Sequence, residues 1–490
     1  MIVIEGLSFR FQASERYALR DVNLWIAPGE FVVVTGPSGC GKSTLALAIG
    51  GYLFRQYGGQ ASGKVTVAGM DARQCPIYDV AEVVGLVQQN PEAQFCTLTV
   101  QDEITFGLEN RCLPHDEIRE RVGWALSIVG AAHLLRRPLA TLSGGEKQKV
   151  AIAAMMAAKP QVLIFDEPTS NLDPTATAEI FEVIARIRAE AGITVIVIEH
   201  KVDYLLPFEP RMVAMEGGRI IYTGPFSKAH RPRLPDRRPS RLLPTETEPI
   251  VRVENLNLGY NGHPVLRDLS LDVHPGEFVA LMGDNGSGKT TFLQSLLGLL
   301  KPYQGRVQVL GQDTRHIPVS RLARDVGFVF QNPDHQLFAE SVWQEAVFAC
   351  RNFGSLDERT RSQVQELLVH CGLGERKEDH PYRLSYGEKR RLNLVSVLAH
   401  GPQLVLLDEV LIGQDAANAA FLLELLHRRT EQGGAVIMVN HAPEVTWRYA
   451  NRLIFFNGGR IAVDAPTEEA FQRLKAMGRE VYLPAAETES

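Results

Sequence analysis

Residues 30–44 read EFVVVTGPSGCGKST, and residues 283–291 read GDNGSGKTT. In the first, an apolar run enters a glycine-rich turn, and lysine and hydroxyl residues then open a helix. Phosphate binding needs each of those features. Glycines let the backbone wrap an anion closely, N–H groups point inward, and a helix N-terminus stands behind them. The candidate cradle is Gly36, Pro37, Ser38, Gly39, Cys40, Gly41, Lys42, Ser43 and Thr44. Its second version is Gly283, Asp284, Asn285, Gly286, Ser287, Gly288, Lys289, Thr290 and Thr291. Lys42 and Lys289 are placed to neutralise β- and γ-phosphates, and Ser43 and Thr290 to offer a hydroxyl to Mg²⁺. One such match could be a glycine turn before an ordinary helix. Two in register predict that both copies bind nucleotide.

Working outward, other words repeat. GKVTVAG from Gly63 answers GRVQVLG from Gly305, 242 residues on (305 − 63). GLVQQNPEAQF answers GFVFQNPDHQL, and LSGGEKQK from Leu142 answers LSYGEKRR from Leu384. The two lysines lie 247 apart (289 − 42), so the first copy carries 5 extra residues (247 − 242) after its lysine helix. Dissimilar words kept in order imply duplication of a unit of roughly 230 residues. The expected layout is a first domain over 1–225, a Pro/Arg-rich linker over 226–249, a second domain over 250–482, and an acidic tail over 483–490. The linker reads as a solvated tether, although its arginines could also touch a membrane surface or RNA. Within each copy, short β-branched runs alternate with helical stretches. That order predicts an α/β fold with a largely parallel sheet covered by helices.

Composition narrows the class. With 51 basic and 57 acidic residues the net charge is −6, so no global basic field recruits nucleic acid. The apolar runs are too short for a bilayer, which needs about 20 residues. The beginning, MIVIEGLSFRF, has no basic n-region and does not read as a signal peptide. Cys40, Cys75, Cys96, Cys112, Cys350 and Cys371 are scattered without a C-x-x-C pair. That argues against zinc or iron–sulfur sites and suits a reducing cytosol.

VLIFDEPTSNLD places Asp166 and Glu167 at a strand end, and the second copy offers Asp408 and Glu409. Downstream of a phosphate loop, Asp166 and Asp408 are expected to hold Mg²⁺, and Glu167 and Glu409 to orient or deprotonate the attacking water. His200 and His441 end the next apolar runs, 33 and 32 residues past those glutamates (200 − 167; 441 − 409). A histidine there is often merely structural, but recurrence at a matching distance favours a γ-phosphate sensor. Gln89 and Gln331, in QQNP and FQNP, are further candidate Mg²⁺ or water ligands.

These words in this order resemble the ABC ATPase (nucleotide-binding) family over nearly the whole chain. The resemblance implies two tandem P-loop NTPase domains, each a RecA-like core with an antiparallel β subdomain and a helical subdomain. It implies that ATP and Mg²⁺ are the cofactors and that the two halves pair head to tail within the chain. Lys42, Asp166, Glu167 and His200 would then meet Ser385 and Gly387. Lys289, Asp408, Glu409 and His441 would meet Ser143, Gly144 and Gly145. Phe11 and Tyr260 sit where the family stacks adenine, or each could be a packed strand residue. Tyr386 replaces the glycine of the LSGGE word, but a backbone N–H survives that change, so the copy is expected to be altered rather than broken. The loop after Glu409 departs further: Val410 and Leu411 stand where the first copy has Pro168 and Thr169, across 410–414.

The stretches after the glutamines resemble those of energy-coupling-factor and cobalt-type importers of vitamins and metal ions. That resemblance implies a peripheral protein on the cytoplasmic face of the membrane, driving a T-type integral scaffold with a small substrate-binding membrane subunit. Glu92, Gln94, Asp334 and Gln336 would line the groove for the scaffold's helices. Alternatives are the ATPase of a tandem-domain sugar importer, whose second phosphate loop is typically damaged, and a soluble ribosome-associated ABC factor, which carries a long charged linker. DNA-repair relatives insert zinc modules, and no cysteine pair is present.

Overall fold

The computed structural model describes residues 2–12, 16–226, 234–235, 247–260, 263–411 and 414–484. Most of the expected linker, the tail from residue 485, and residues 412–413 of the altered loop lie outside the described residues. The chain divides into two compact units, Met1–Arg233 and Leu234–Ser490.

In the first unit, Phe31–Thr35 is buried at every position, as a central parallel strand must be. It lies inside a six-stranded sheet in the order Arg219–Pro225, Arg211–Glu216, Phe31–Thr35, Thr194–Ile198, Val162–Asp166, Val84–Val87. All neighbours are parallel except the Arg219–Pro225 edge, which is antiparallel to Arg211–Glu216. Alternate side chains of the central strand serve different layers. Val32 and Val34 pack with Ile2, Leu7 and Leu24 of a four-stranded antiparallel sheet. Phe31 and Val33 pack with Ile104, Val122 and Ile152 of helices Val100–Glu109, His115–Ile128 and Gly144–Ala157. The phosphate loop leaves this strand's end and enters helix Lys42–Ile49.

The second unit repeats the plan. Its six-stranded order is Val326–Val329, Leu404–Asp408, Ala435–Val439, Phe278–Gly283, Arg452–Asn457, Arg460–Pro466, again with one antiparallel edge. Its four-stranded sheet is built on Val251–Tyr260 and His263–Val273. After the last strand come helix Thr467–Ala476 and the turn Glu480–Tyr482. They bury Phe471, Leu474 and Tyr482 against Phe455 in the sheet's own core. Among the described residues, no helix is long and apolar enough to cross a membrane.

Candidate active sites

Gly36 and Gly283 open the two loops at φ 145° and 138°. A Cβ there would stand 2.1 Å from the Met215 carbonyl oxygen and 2.2 Å from that of Phe456, so only glycine lets each loop lie against the neighbouring strand. The buried Lys42 donates through Nζ to the carbonyls of Gly36 (2.9 Å) and Pro37 (3.0 Å). Lys289 does the same with Gly283 (2.8 Å) and Asp284 (2.9 Å). Each ammonium thus sits at the N-terminus of its own helix, where dipole and unpaired N–H groups already favour an anion.

The loops meet the acids through the hydroxyls. Ser43 Oγ donates to Asp166 Oδ1 at 3.1 Å, and Thr290 Oγ1 to Asp408 Oδ2 at 2.9 Å. Burial, with the adjacent glutamate's charge adding to it, pushes Asp166 and Asp408 up to about 6. Asp408 Oδ1 is buried without a partner. A hydroxyl beside an unsatisfied carboxylate oxygen is a hard-oxygen set that fits Mg²⁺. Among the described residues no three His, Cys, Asp or Glu side chains gather to hold a metal, so the remaining ligands would be water and phosphate oxygens.

Glu167 and Glu409 are shifted the other way. Burial disfavours their charge, but His200, Lys42 and Lys201 outweigh it at Glu167, and His441, Lys289 and Gln331 at Glu409. Neighbouring acids pushed in opposite directions are a signature of divided roles. Gln89 Nε2 donates to Glu167 Oε2 at 3.1 Å, and Gln331 Nε2 to Glu409 Oε2 at 2.8 Å. His200 Nε2 stands 3.2 Å from Glu167 Oε1; His441 Nε2 lies 2.8 Å from Glu409 Oε1 in a well-aligned hydrogen bond. Both glutamates take a left-handed backbone, φ 48° and 51°.

Ser143 and Ser385 each cap a helix, Gly144–Ala157 and Tyr386–Leu398, through a reciprocal box with Glu146 and Glu388. A Cβ on Gly144 would meet only Leu172 at 3.5 Å, an ordinary contact, which explains how the matching position accepts Tyr386. Tyr386 has a second role that sequence reasoning missed. Its ring lies under the Arg390 guanidinium at 4.9 Å, and its hydroxyl accepts from Arg390 Nη2 at 2.9 Å. Arg390, only 2% exposed, also donates to the carbonyls of Gln331 (2.7 Å) and Glu409 (2.6 Å). The first unit has Gln148 at that position (390 − 242), 1% exposed, with Nε2 unpartnered. Comparing the copies position by position would have flagged the exchange.

Other expected residues fall in mixed places. Phe11 packs edge-on against Phe9 and Tyr57, whereas Tyr260 is 44% exposed with its hydroxyl bonded to Gln294. Glu92 and Asp334 are ion-paired to Lys147 and Lys389, one turn into the capped helices, so those helices already partly neutralise the acidic rim. Gln94 accepts from the Gln88 N–H, and Gln336 donates to Ser396 and to the Asn393 carbonyl. Asp173 and Asp415 are N-caps, accepting from Ala176 and Asn418.

A family model described as "ABC transporter" matches residues 19–170 and 266–411. The chain belongs to the ABC transporter ATP-binding proteins. It is 35% identical to a "Putative ABC transporter ATP-binding protein" of Methanosarcina acetivorans, across 98% of this chain and 88% of that one. It is 31% identical to the "Putative HMP/thiamine import ATP-binding protein YkoD" of Bacillus subtilis, across 96% and 93%. Among solved structures, cbiO1 of Clostridium perfringens, part of the ABC transporter complex cbiONQ, aligns with 46% of this chain and 87% of its own. Sequence identity there is 34% and the TM-score 0.42. Two ABC ATPase regions in tandem account for the duplication, and ATP hydrolysis coupled to transport is the activity of the family.

Proposed function

We propose that this ABC ATPase powers a membrane importer of the energy-coupling-factor type, carrying a vitamin or a transition-metal ion. What carries the catalytic part of the reading is that each unit assembles a complete set: lysine, hydroxyl, aspartate, glutamate, glutamine and histidine within bonding distance. Similarity to a thiamine-related import protein supports the importer part.

In this reading, Lys42 and Lys289 turn from their own loop carbonyls to the β/γ-phosphates. Ser43 with Asp166, Thr290 with Asp408, and Gln89 and Gln331 would hold Mg²⁺, which would supply neutralisation of phosphate charge. Glu167 and Glu409, held ionised by their histidines, accept a hydrogen bond from the attacking water and aim it. His200 and His441 hold those carboxylates and sense the γ-phosphate. Phe11 and Tyr260 are the proposed adenine contacts. Head-to-tail pairing of the halves, with Ser143, Gly144 and Gly145 serving the Lys289 site and Ser385 and Gly387 the Lys42 site, belongs to the same proposal. So does residence at the cytoplasmic face of the membrane.

The test is affinity capture of the tagged chain from detergent-solubilised native membranes, read by mass spectrometry. A polytopic scaffold with a small hydrophobic companion is the expected result. Ribosomal proteins without a membrane partner would overturn the importer reading and leave the ATPase chemistry standing.

A further inference from the structure

The end of the second unit is bonded to its own phosphate loop. The Tyr482 hydroxyl donates to Asp284 Oδ1 at 2.6 Å, and Arg479 Nη1 lies 3.4 Å from Asp284 Oδ2. The tyrosine contact comes from a buried side chain, and the arginine pair beside it is about one-third exposed. Tyr482 is fully buried, edge-on to Phe455 with ring centroids 4.9 Å apart, and the Arg479 guanidinium lies 5.9 Å over that same ring. Helix Thr467–Ala476, just before, is anchored by Ala470, Phe471 and Leu474 in the sheet's core.

Asp284 is the second residue of the loop, and its carbonyl accepts from Lys289 Nζ. One residue therefore holds the phosphate-binding lysine through its backbone, and Arg479 and Tyr482 through its side chain. Two of these positions differ in the first copy: Pro37 stands for Asp284 (284 − 247), and Ala214 stands for Phe455 (455 − 241) in the paired strands. A free carboxylate in a loop built to receive a triphosphate would repel it, because like charges at short range disfavour each other.

We propose that residues 479–482 form a strap that sets the nucleotide affinity of the second phosphate loop. The strap neutralises and fixes the Asp284 carboxylate, making Tyr482 and Arg479 positioning residues. The inference needs only nucleotide binding by the Lys289 loop, and would survive failure of the importer reading.

The experiment is equilibrium titration of the full-length chain with a fluorescent ATP analogue. A Lys42→Ala background reports the second loop, and a Lys289→Ala background reports the first. Tyr482→Phe combined with Arg479→Met is expected to weaken binding at the second loop about tenfold, the effect of losing a hydrogen bond to a charged group. Binding at the first loop should be unchanged. With Asp284→Asn already present, the same pair should change affinity less than about twofold, a non-additivity that marks direct coupling. Unaltered affinity, equal loss at both loops, or additive losses with Asp284→Asn would each overturn the proposal.

Discussion

Behind Glu167 the first unit keeps a buried polar network. Thr169 Oγ1 donates to Glu199 Oε2 at 2.7 Å, the N–H groups of His200 and Lys201 donate to Glu199 Oε1, and Lys201 Nζ returns to the Thr169 carbonyl at 2.9 Å. The second unit has Leu411, Asn440 and Ala442 at those places, and the Asn440 side chain bonds to the Ala442 backbone and to Thr446. What it has instead is Arg390, tying the capped helix to Gln331 and Glu409. The first unit thus fixes the residues that follow its glutamate together with the histidine loop. The second fixes the glutamine loop that comes before. Both halves keep the same catalytic words but have moved the brace. Motif identity therefore says which atoms react, and the buried exchanges around the motif say how firmly they are held.

The comparison is most exposed to single changes of the glutamates. Gln331 and His441 lie 2.8 Å from Glu409, against 3.1 and 3.2 Å for Gln89 and His200 at Glu167, and the expectation is that the tighter set depends more on its glutamate. Glu409→Gln is expected to lower steady-state phosphate release by about 10²-fold, and Glu167→Gln by clearly less. Equal losses would erase the difference between the halves.

Next comes Arg390→Gln, which installs the first unit's residue. The Tyr386 hydroxyl and two backbone carbonyls lose their donor, a destabilisation of about 2–3 kcal/mol by denaturant titration. A displaced glutamine loop should lower ATPase about tenfold. A variant with parental activity would show that the brace has no catalytic consequence.

Asp166→Asn and Asp408→Asn should trade activity for stability. The folded-state value of about 6 lies above the ordinary 3.8, so above pH 6 the fold carries a charge it disfavours. At pH 7.5 and without nucleotide, each variant is expected to melt about 3 °C higher than the parent. At pH 5 the parent's carboxyl is mostly protonated in the fold but still ionised in the unfolded chain, so the gain should shrink to about half, and it should vanish only below the ordinary 3.8. A gain of the same size at pH 7.5 and pH 5 would assign it to something other than the buried charge.

Smallest is Tyr386→Phe. It keeps the ring under Arg390 and loses one hydrogen bond, so stability should fall by about 1 kcal/mol. ATPase should stay within about twofold. A large loss would mean that the hydroxyl acts in hydrolysis.

The phosphate loops, acids and histidines were legible because their chemistry forces residue types at short spacing, and the repeat supplied each reading twice. The parallel core was legible because Phe31–Thr35 and Val162–Asp166 are apolar runs that only a buried strand accommodates. The braces were not. Arg390 meets Gln331 59 residues away in sequence, and Tyr482 meets Asp284 198 residues away. No local pattern encodes such partners. The ion pairs of Glu92 and Asp334 were hidden for a related reason: their lysines lie 55 residues on.

The left-handed backbone at Glu167 and Glu409 bears on the history of the gene. A non-glycine residue there carries a conformational penalty of order 1 kcal/mol, and glycine or asparagine would relieve it. A duplicate released from use is free to drift toward such relief, since nothing then selects for the strained acid. This chain has a glutamate in that conformation in both copies, against the backbone's own preference. Each copy thus carries the same local strain at the acid that follows its strand.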